Sequence, residues 1–168
     1  MKSVFWSVLM LLLFSGWPRS ANAEKQVTAT NEPIEVVAQT MEADKKQQTA
    51  IFSGKVVATR GALTLYADQL TLFFTEQTTQ NNRQKIERIE ARGKVSVVDD
   101  QRIAKANELD YHSVTEEIVL RGNVSVQEGE NLVTGDEITL DLRTNQTRVK
   151  SRDGGRIKAI FQPEQESK

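Results

Sequence analysis

From Ile34 to Gln162 apolar and polar residues alternate along the chain, over and over, with a period of two. Ile89, Ala91, Gly93, Val95 and Val97 share one parity, with Glu90, Arg92, Lys94 and Ser96 between them. Ile118, Leu120, Gly122, Val124 and Val126 repeat the arrangement. Ile138, Leu140 and Leu142 alternate with Thr139 and Asp141. A period of two places every second side chain on one face of a strand. No segment carries a helical period. Pro33 and Pro163 bracket this stretch and none lies within it, which leaves every backbone N–H free to pair in a ladder. Polar clusters such as Asp99-Asp100-Gln101 and Asp153-Gly154-Gly155 supply turns. The pattern predicts an all-β protein of repetitive antiparallel strands.

The strands come in repeats. Gly54-Lys55-Val56, Gly93-Lys94-Val95 and Gly122-Asn123-Val124 match one another. Fourteen residues after each glycine stands Asp68, Asn107 or Asp136, and each opens a further alternating run. Gln39-Thr40-Met41-Glu42-Ala43 occupies the same relative place before Gly54, as a degraded half-unit. The spacing from Gly54 to Gly93 is ten residues longer than from Gly93 to Gly122, and the surplus falls in the polar stretch 75–84, read as an extended hairpin loop. One such unit cannot bury its apolar face alone, whereas stacked units can. A repeated glycine in a strand marks a bulge, a bend or a close backbone approach. The repeated Asp/Asn is expected to bond nearby main chain at a corner. A metal-ligand role is disfavoured, because residues a whole repeat apart form a row and not a cage.

The N-terminus has a different character. Lys2 precedes an apolar run, Val4 to Phe14, and a more polar stretch ends at Ala21-Asn22-Ala23. This reads as a secretory signal peptide over residues 1–23, too short for a spanning helix. Its removal takes away Lys2, Arg19 and both tryptophans, Trp6 and Trp17. The expected organisation is a cleaved signal 1–23, a flexible segment 24–32, one β-domain 33–161, and a short polar tail 162–168. The expected location is the bacterial periplasm.

Composition excludes most chemistry. The 168 residues hold 22 Lys+Arg against 23 Asp+Glu, one His and no Cys. A near-neutral balance disfavours a nucleic-acid partner. Lack of Cys removes disulfides, thiolate metal sites and thiol nucleophiles. No phosphate loop, nucleophile elbow or His-Glu-x-x-His pattern occurs. His112 lies beside a predicted turn, and Asp99/Asp100 and Glu116/Glu117 fall at turns, where carboxylates stay solvated. No catalytic residue, metal site or cofactor is expected, and the chain is read as a non-enzyme.

What remains is apolar surface within an unclosed sheet. The candidate lining comprises Phe52, Val56, Leu63, Leu65, Leu70, Leu72 and Ile89, followed by Val95, Leu109, Ile118, Leu120, Val124, Ile138 and Leu140. Ordinary core packing uses the same residue types. An open stack also has two edge strands seeking partners. Ile34 and Val36 mark the first; Ile157, Ala159, Ile160 and Phe161 mark the last. Strand addition to a neighbour, head to tail, would satisfy both.

Several blocks carry a family resemblance: Pro33-Ile34-Glu35-Val36, Ala50-Ile51-Phe52-Ser53-Gly54-Lys55-Val56, Gly61-x-Leu63-x-Leu65-x-Ala67-Asp68, Arg121-Gly122-Asn123-Val124, and Asn131 through Thr139. Together these resemble the OstA-like (LptA) family of periplasmic lipopolysaccharide-transport bridge proteins, over roughly Pro33 to Phe161. The resemblance implies a twisted, semi-closed β-jellyroll. It also implies a groove for lipid A acyl chains, and end-to-end assembly between an inner-membrane tether and an outer-membrane translocon. The alternatives are a structural β-repeat protein that polymerises through its edges without lipid, and a secreted polysaccharide-active enzyme.

Overall fold

The computed structural model describes residues 33–75, 85–152 and 155–162. The expected signal peptide 1–23 and segment 24–32 lie outside these, as do 163–168 of the tail. Every regular element among the described residues is a strand: β1 Glu35–Val37, β2 Thr40–Asp44, β3 Thr49–Arg60, β4 Leu63–Phe74, β5 Ile86–Asp99, β6 Arg102–His112, β7 Glu117–Glu128, β8 Asn131–Asp141, β9 Gln146–Lys150 and β10 Lys158–Ile160. All pairings are antiparallel. β3 through β8 form a meander of six long strands. The outer side of β3 pairs with β1 and β2, and that of β8 with β9 and β10, so the sheet is not closed.

Turn chemistry explains the meander. Two-residue loops join β3 to β4, β5 to β6 and β7 to β8, with Gly61, Asp100 and Gly129 at positive φ. At the opposite ends, Asp44 Oδ1 accepts from the backbone N–H of Lys46 (2.7 Å) and Gln47 (3.1 Å), and Asp141 Oδ1 from those of Arg143 (3.0 Å) and Thr144 (2.9 Å). Such bonds fold a short loop on its own aspartate. The expected hairpin at 75–84 is closed by Thr75 and Lys85, whose backbones bond at 2.9 Å; residues 76–84 lie outside the description.

Each long strand turns a corner at the repeat signature. In β3, β5 and β7 two successive residues take left-handed backbone: Gly54 and Lys55, Gly93 and Lys94, Gly122 and Asn123. The pairing registers shift at those points. Two residues of the odd strand then oppose one of the even strand: Asp68, Asn107 or Asp136. A Cβ on Gly93 would meet Asp68, one on Gly122 would meet Asn107, and one on Gly54 would meet Gln39. The corner is thus a row in which a polar side chain of one strand lies over a glycine of the next. Hydrogen bonding to main chain, expected of all three Asp/Asn residues, is seen at Asp136 alone among the described residues. Its Oδ2 accepts from Ser151 Oγ and Arg152 N, both at 2.8 Å. At Asp68 and Asn107 the side chain lies close over the glycine of the next strand.

The corner also resets the side-chain phase. On β4, β6 and β8 alternation slips by one at the corner, so Leu65 and Ala67 face the same interior as Leu70 and Leu72. The slip folds the sheet into two wings with one shared interior. The first wing holds β2, β9 and residues 49–53, 69–74, 86–92, 108–112, 117–121 and 137–141. The second holds β1, β10 and residues 56–60, 63–67, 95–99, 102–106, 124–128 and 131–135.

Candidate functional site: an apolar trough between two wings

On β5 to β8 burial follows distance from the corner. Next to it, Val56, Ala67, Leu70, Ala91, Val95, Ala106, Leu109, Leu120, Val124 and Ile138 are buried; Val56, Leu70, Val124 and Ile138 are each 1 % exposed. One step further out on β5 to β8, Ile89, Tyr111, Ile118 and Leu140 of the first wing are only partly buried. So are Val97, Ala104, Val126 and Val133 of the second. On β3 and β4 the equivalent residues, Ala50, Leu72, Ala58 and Leu65, are still buried. Over β5 to β8 burial thus falls from the corner toward the strand ends, whereas on β3 Phe52, beside the corner, is half-buried and Ala50, beyond it, is buried.

This gradient sorts the lining candidates. Val56, Leu65, Leu70, Leu72, Val95, Leu109, Leu120, Val124 and Ile138 form the packed floor. Phe52, Ile89, Ile118 and Leu140 are half-buried against that floor. Leu63 shares their face by alternation but is 42 % exposed and lies outside the cluster. The structure adds Phe74, Ile86, Val97, Tyr111, Val126 and Val133 to the half-buried set. The two walls differ in bulk: the first carries Leu, Ile and aromatic side chains, the second mostly Val and Ala.

Of the edge residues, Val36 packs on the cluster and pairs with Ala58. Ile34 precedes β1, and Ile157 precedes β10. Ala159 and Ile160 pair with Val133 and Leu132. Phe161, just past β10, is 73 % exposed. The free edges also include β2 and β9, which alternation alone did not separate from their neighbours.

The outer face of the first wing carries a row of charges. Arg88 pairs with Glu90; Arg92 reaches Glu90 (3.4 Å) and Asp110 (2.7 Å). Arg121 joins Asp110 to Glu137 (3.2 Å), and Lys150 closes on Glu137 at 3.2 Å. Partly exposed pairs of this kind contribute about 0.2–1 kcal/mol each. Their stronger effect is on register, because a one-residue slip would turn every charge into the apolar interior. The outer face of the second wing bears Val57, Thr59, Thr64, Tyr66, Ser96, Val98 and Ser125, with few charges.

Three carboxyls lie well placed to be held ionised, all on β8. The backbone N–H of Arg152 and the Ser151 hydroxyl hold Asp136 below the usual carboxylate range. The Lys150 ammonium, then Arg121, does so for Glu137, and the Thr144 backbone N–H for Asp141. A lowered folded-state pKa gives stability that is present above the unfolded value and is lost as pH falls through the folded one. Acidification from the ordinary range of 3.8–4.5 downward is therefore expected to release β9 from β8 before the middle of the sheet opens. Hydrogen exchange against pH checks this: amides of β9 should accelerate at a higher pH than those of β5.

Comparison with known proteins follows the same outline. The model of a family described as LptA/(LptD N-terminal domain) LPS transport protein matches residues 35–146. The lipopolysaccharide export system protein LptA of Escherichia coli K12 is 24% identical over 142 residues, covering 81% of this chain and 74% of that protein. The Haemophilus influenzae LptA is 23% identical, covering 80% of each. An uncharacterised protein of Rhizobium meliloti is 26% identical over 140 residues. Among solved structures, LptH of Pseudomonas aeruginosa superposes with a TM-score of 0.66 at 23% identity, covering 79% of this chain and 96% of that one. It is described as the LptA-homologous periplasmic component of a lipopolysaccharide transport device. That likeness shows the fold: an open, LptA-like β-jellyroll.

Proposed function

This chain belongs to the LptA/(LptD N-terminal domain) LPS transport protein family, and on that premise we propose that it is a periplasmic carrier that shelters the acyl chains of lipopolysaccharide between its wings. The family is one of transport proteins, and on that ground the chain is not an enzyme. The observation that carries the finer reading is the burial gradient. Ile89, Tyr111, Ile118 and Leu140 of one wing and Val97, Ala104, Val126 and Val133 of the other lie on the interior face and are only partly buried against the packed floor. Each acyl methylene taken out of water gains about 0.8 kcal/mol, so a dozen of them gain on the order of 10 kcal/mol. Lipid crossing an aqueous compartment therefore needs continuous apolar shelter. Copies joined head to tail through β1/β2 and β9/β10 would extend the trough toward an inner-membrane tether at one end and an outer-membrane translocon at the other.

A photoreactive residue placed in turn at Ile89, Ile118 and Leu140 tests this in cells. Crosslinks to lipopolysaccharide are expected from all three, and none from Thr139 on the outer face. Silence at every rim position, with the protein folded and abundant, would leave the edge-polymerising structural protein as the better reading.

A further inference from the structure

We propose that copies of this chain join in one fixed register, in which Glu42 of the following copy lies opposite Arg148 and Met41 opposite Val149. The inference rests on the head-to-tail assembly proposed above and adds its geometry and its charge.

The register follows from strand equivalence. β3 is paired on both sides, and the pairings coincide: Ser53 faces Thr40 on one side and Gln69 on the other, Phe52 faces Met41 and Leu70, and Ala58 faces Val36 and Leu65. The β1/β2 edge is thus an even strand like β4 and β6, with Gln39 standing over Gly54 as Asp68 stands over Gly93. β8 is flanked in the same way: Ile138 faces Leu120 and Val149, Glu137 faces Arg121 and Lys150, and Thr134 faces Ser125 and Lys158. On either side of the corner the β9/β10 edge thus stands where an odd strand like β5 or β7 would, although residues 151–156 take the place of the two-residue corner of those strands. Inside the chain odd and even strands alternate at one register. The last strand of one copy and the first of the next are the two kinds that the alternation calls for.

Two independent features support that junction. Met41 is 60 % and Ile157 47 % exposed, yet their equivalents Leu70 and Val124 are 1 % exposed; a neighbouring strand at this register would cover both. Charge is complementary as well. The β1/β2 edge carries Glu35, Glu42 and Asp44, with Lys45 and Lys46 in the turn beyond. The β9/β10 edge carries Arg148, Lys150, Arg152, Arg156 and Lys158. Glu42 is the equivalent of Asp110, and Lys150 of Arg92, which meet at 2.7 Å. The outer charge row that ends at Lys150 would therefore continue into Glu42 of the next copy. Among the described residues neither Glu42 nor Arg148 makes an ion pair within its own chain.

The chain has no cysteine, so disulfide trapping reads the register directly. Cys is placed at 42 in one copy and at 146, 148 or 150 in another, all on the outer face. Directly opposed strand positions have Cβ atoms about 4.5–5.5 Å apart, near disulfide reach, and positions two residues off do not. Crosslinking is expected to peak at the 42/148 pair. A peak at 146 or 150 would overturn the register and leave head-to-tail assembly standing; no crosslink in any pair, with a monomer in sedimentation, would overturn both. Lipid crosslinking from Ile118 would separate either failure from failure of the carrier reading. As a second readout, Glu42→Lys should weaken self-association about tenfold. Adding Arg148→Glu should restore it; no recovery would refute the pairing.

Discussion

Gly93→Ala should lower stability by about 2–4 kcal/mol and the melting temperature by roughly 10 °C, without removing any side-chain contact. Two costs combine. Gly93 sits at φ +77°, where an L side chain meets the following carbonyl at about 1–2 kcal/mol. Its Cβ would also lie 2.5 Å from Asp68 Oδ2 and 2.9 Å from Asp68 Cβ. Relieving such a clash in a packed site costs about 1–3 kcal/mol. A double-mutant cycle separates the two. In an Asp68→Gly background the steric part disappears, so Gly93→Ala should cost only the backbone part. Gly129 is the control. It has φ +56° but nothing within 4 Å of its would-be Cβ, so Gly129→Ala should cost about 1 kcal/mol in either background. Equal losses at Gly93 and Gly129 in urea denaturation would mean that the corner row of side chain over glycine has no energetic role.

That row explains what the sequence disclosed and what it hid. The repeated glycine and the Asp/Asn fourteen residues on were legible as letters, and Gln39 was recognisable as a worn copy of Asp68. Their stacking across strands was legible only as a guess at local hydrogen bonds, which Asp136 alone supplies. Alternation identified the odd strands correctly because Gly-x corners keep their parity: Ala91 and Val95 share a face straight through Gly93. On even strands the same rule fails. A continuous period of two through β6 would send Ala106 and Leu109 to opposite faces, yet both are buried in one cluster. The repeated Asp/Asn marked where a new alternating run begins at Asn107, but not that the run keeps to the same face by slipping one residue. The outer charge row was hidden for a similar reason. Glu90, Arg92, Asp110, Arg121, Glu137 and Lys150 read as scattered solvated charges until the pairing register sets them side by side. Depth was hidden too, because floor and rim use the same residue types.

Floor and rim should therefore separate by mutation. Leu70→Ala removes a large side chain that is 1 % exposed at the corner. Deletions of this kind cost about 2–5 kcal/mol, the transfer energy of the lost methyl groups plus that of the cavity left behind. The urea midpoint should fall accordingly, while the lipid crosslinks formed by the remaining folded protein persist. Ile118→Glu acts at the half-buried rim of β7. Its carboxylate can reach water in the empty protein, so stability should change by about 1 kcal/mol. With acyl chains against it that escape closes, and a charge facing hydrocarbon without a partner is strongly disfavoured. Lipopolysaccharide binding should drop at least tenfold, equivalent to about 1.4 kcal/mol. The two variants thus move opposite observables, which no single packed core would do. Were Ile118→Glu to lose stability and lipid together, in the proportion that Leu70→Ala does, the rim would be core and the trough between the wings would hold only the protein itself.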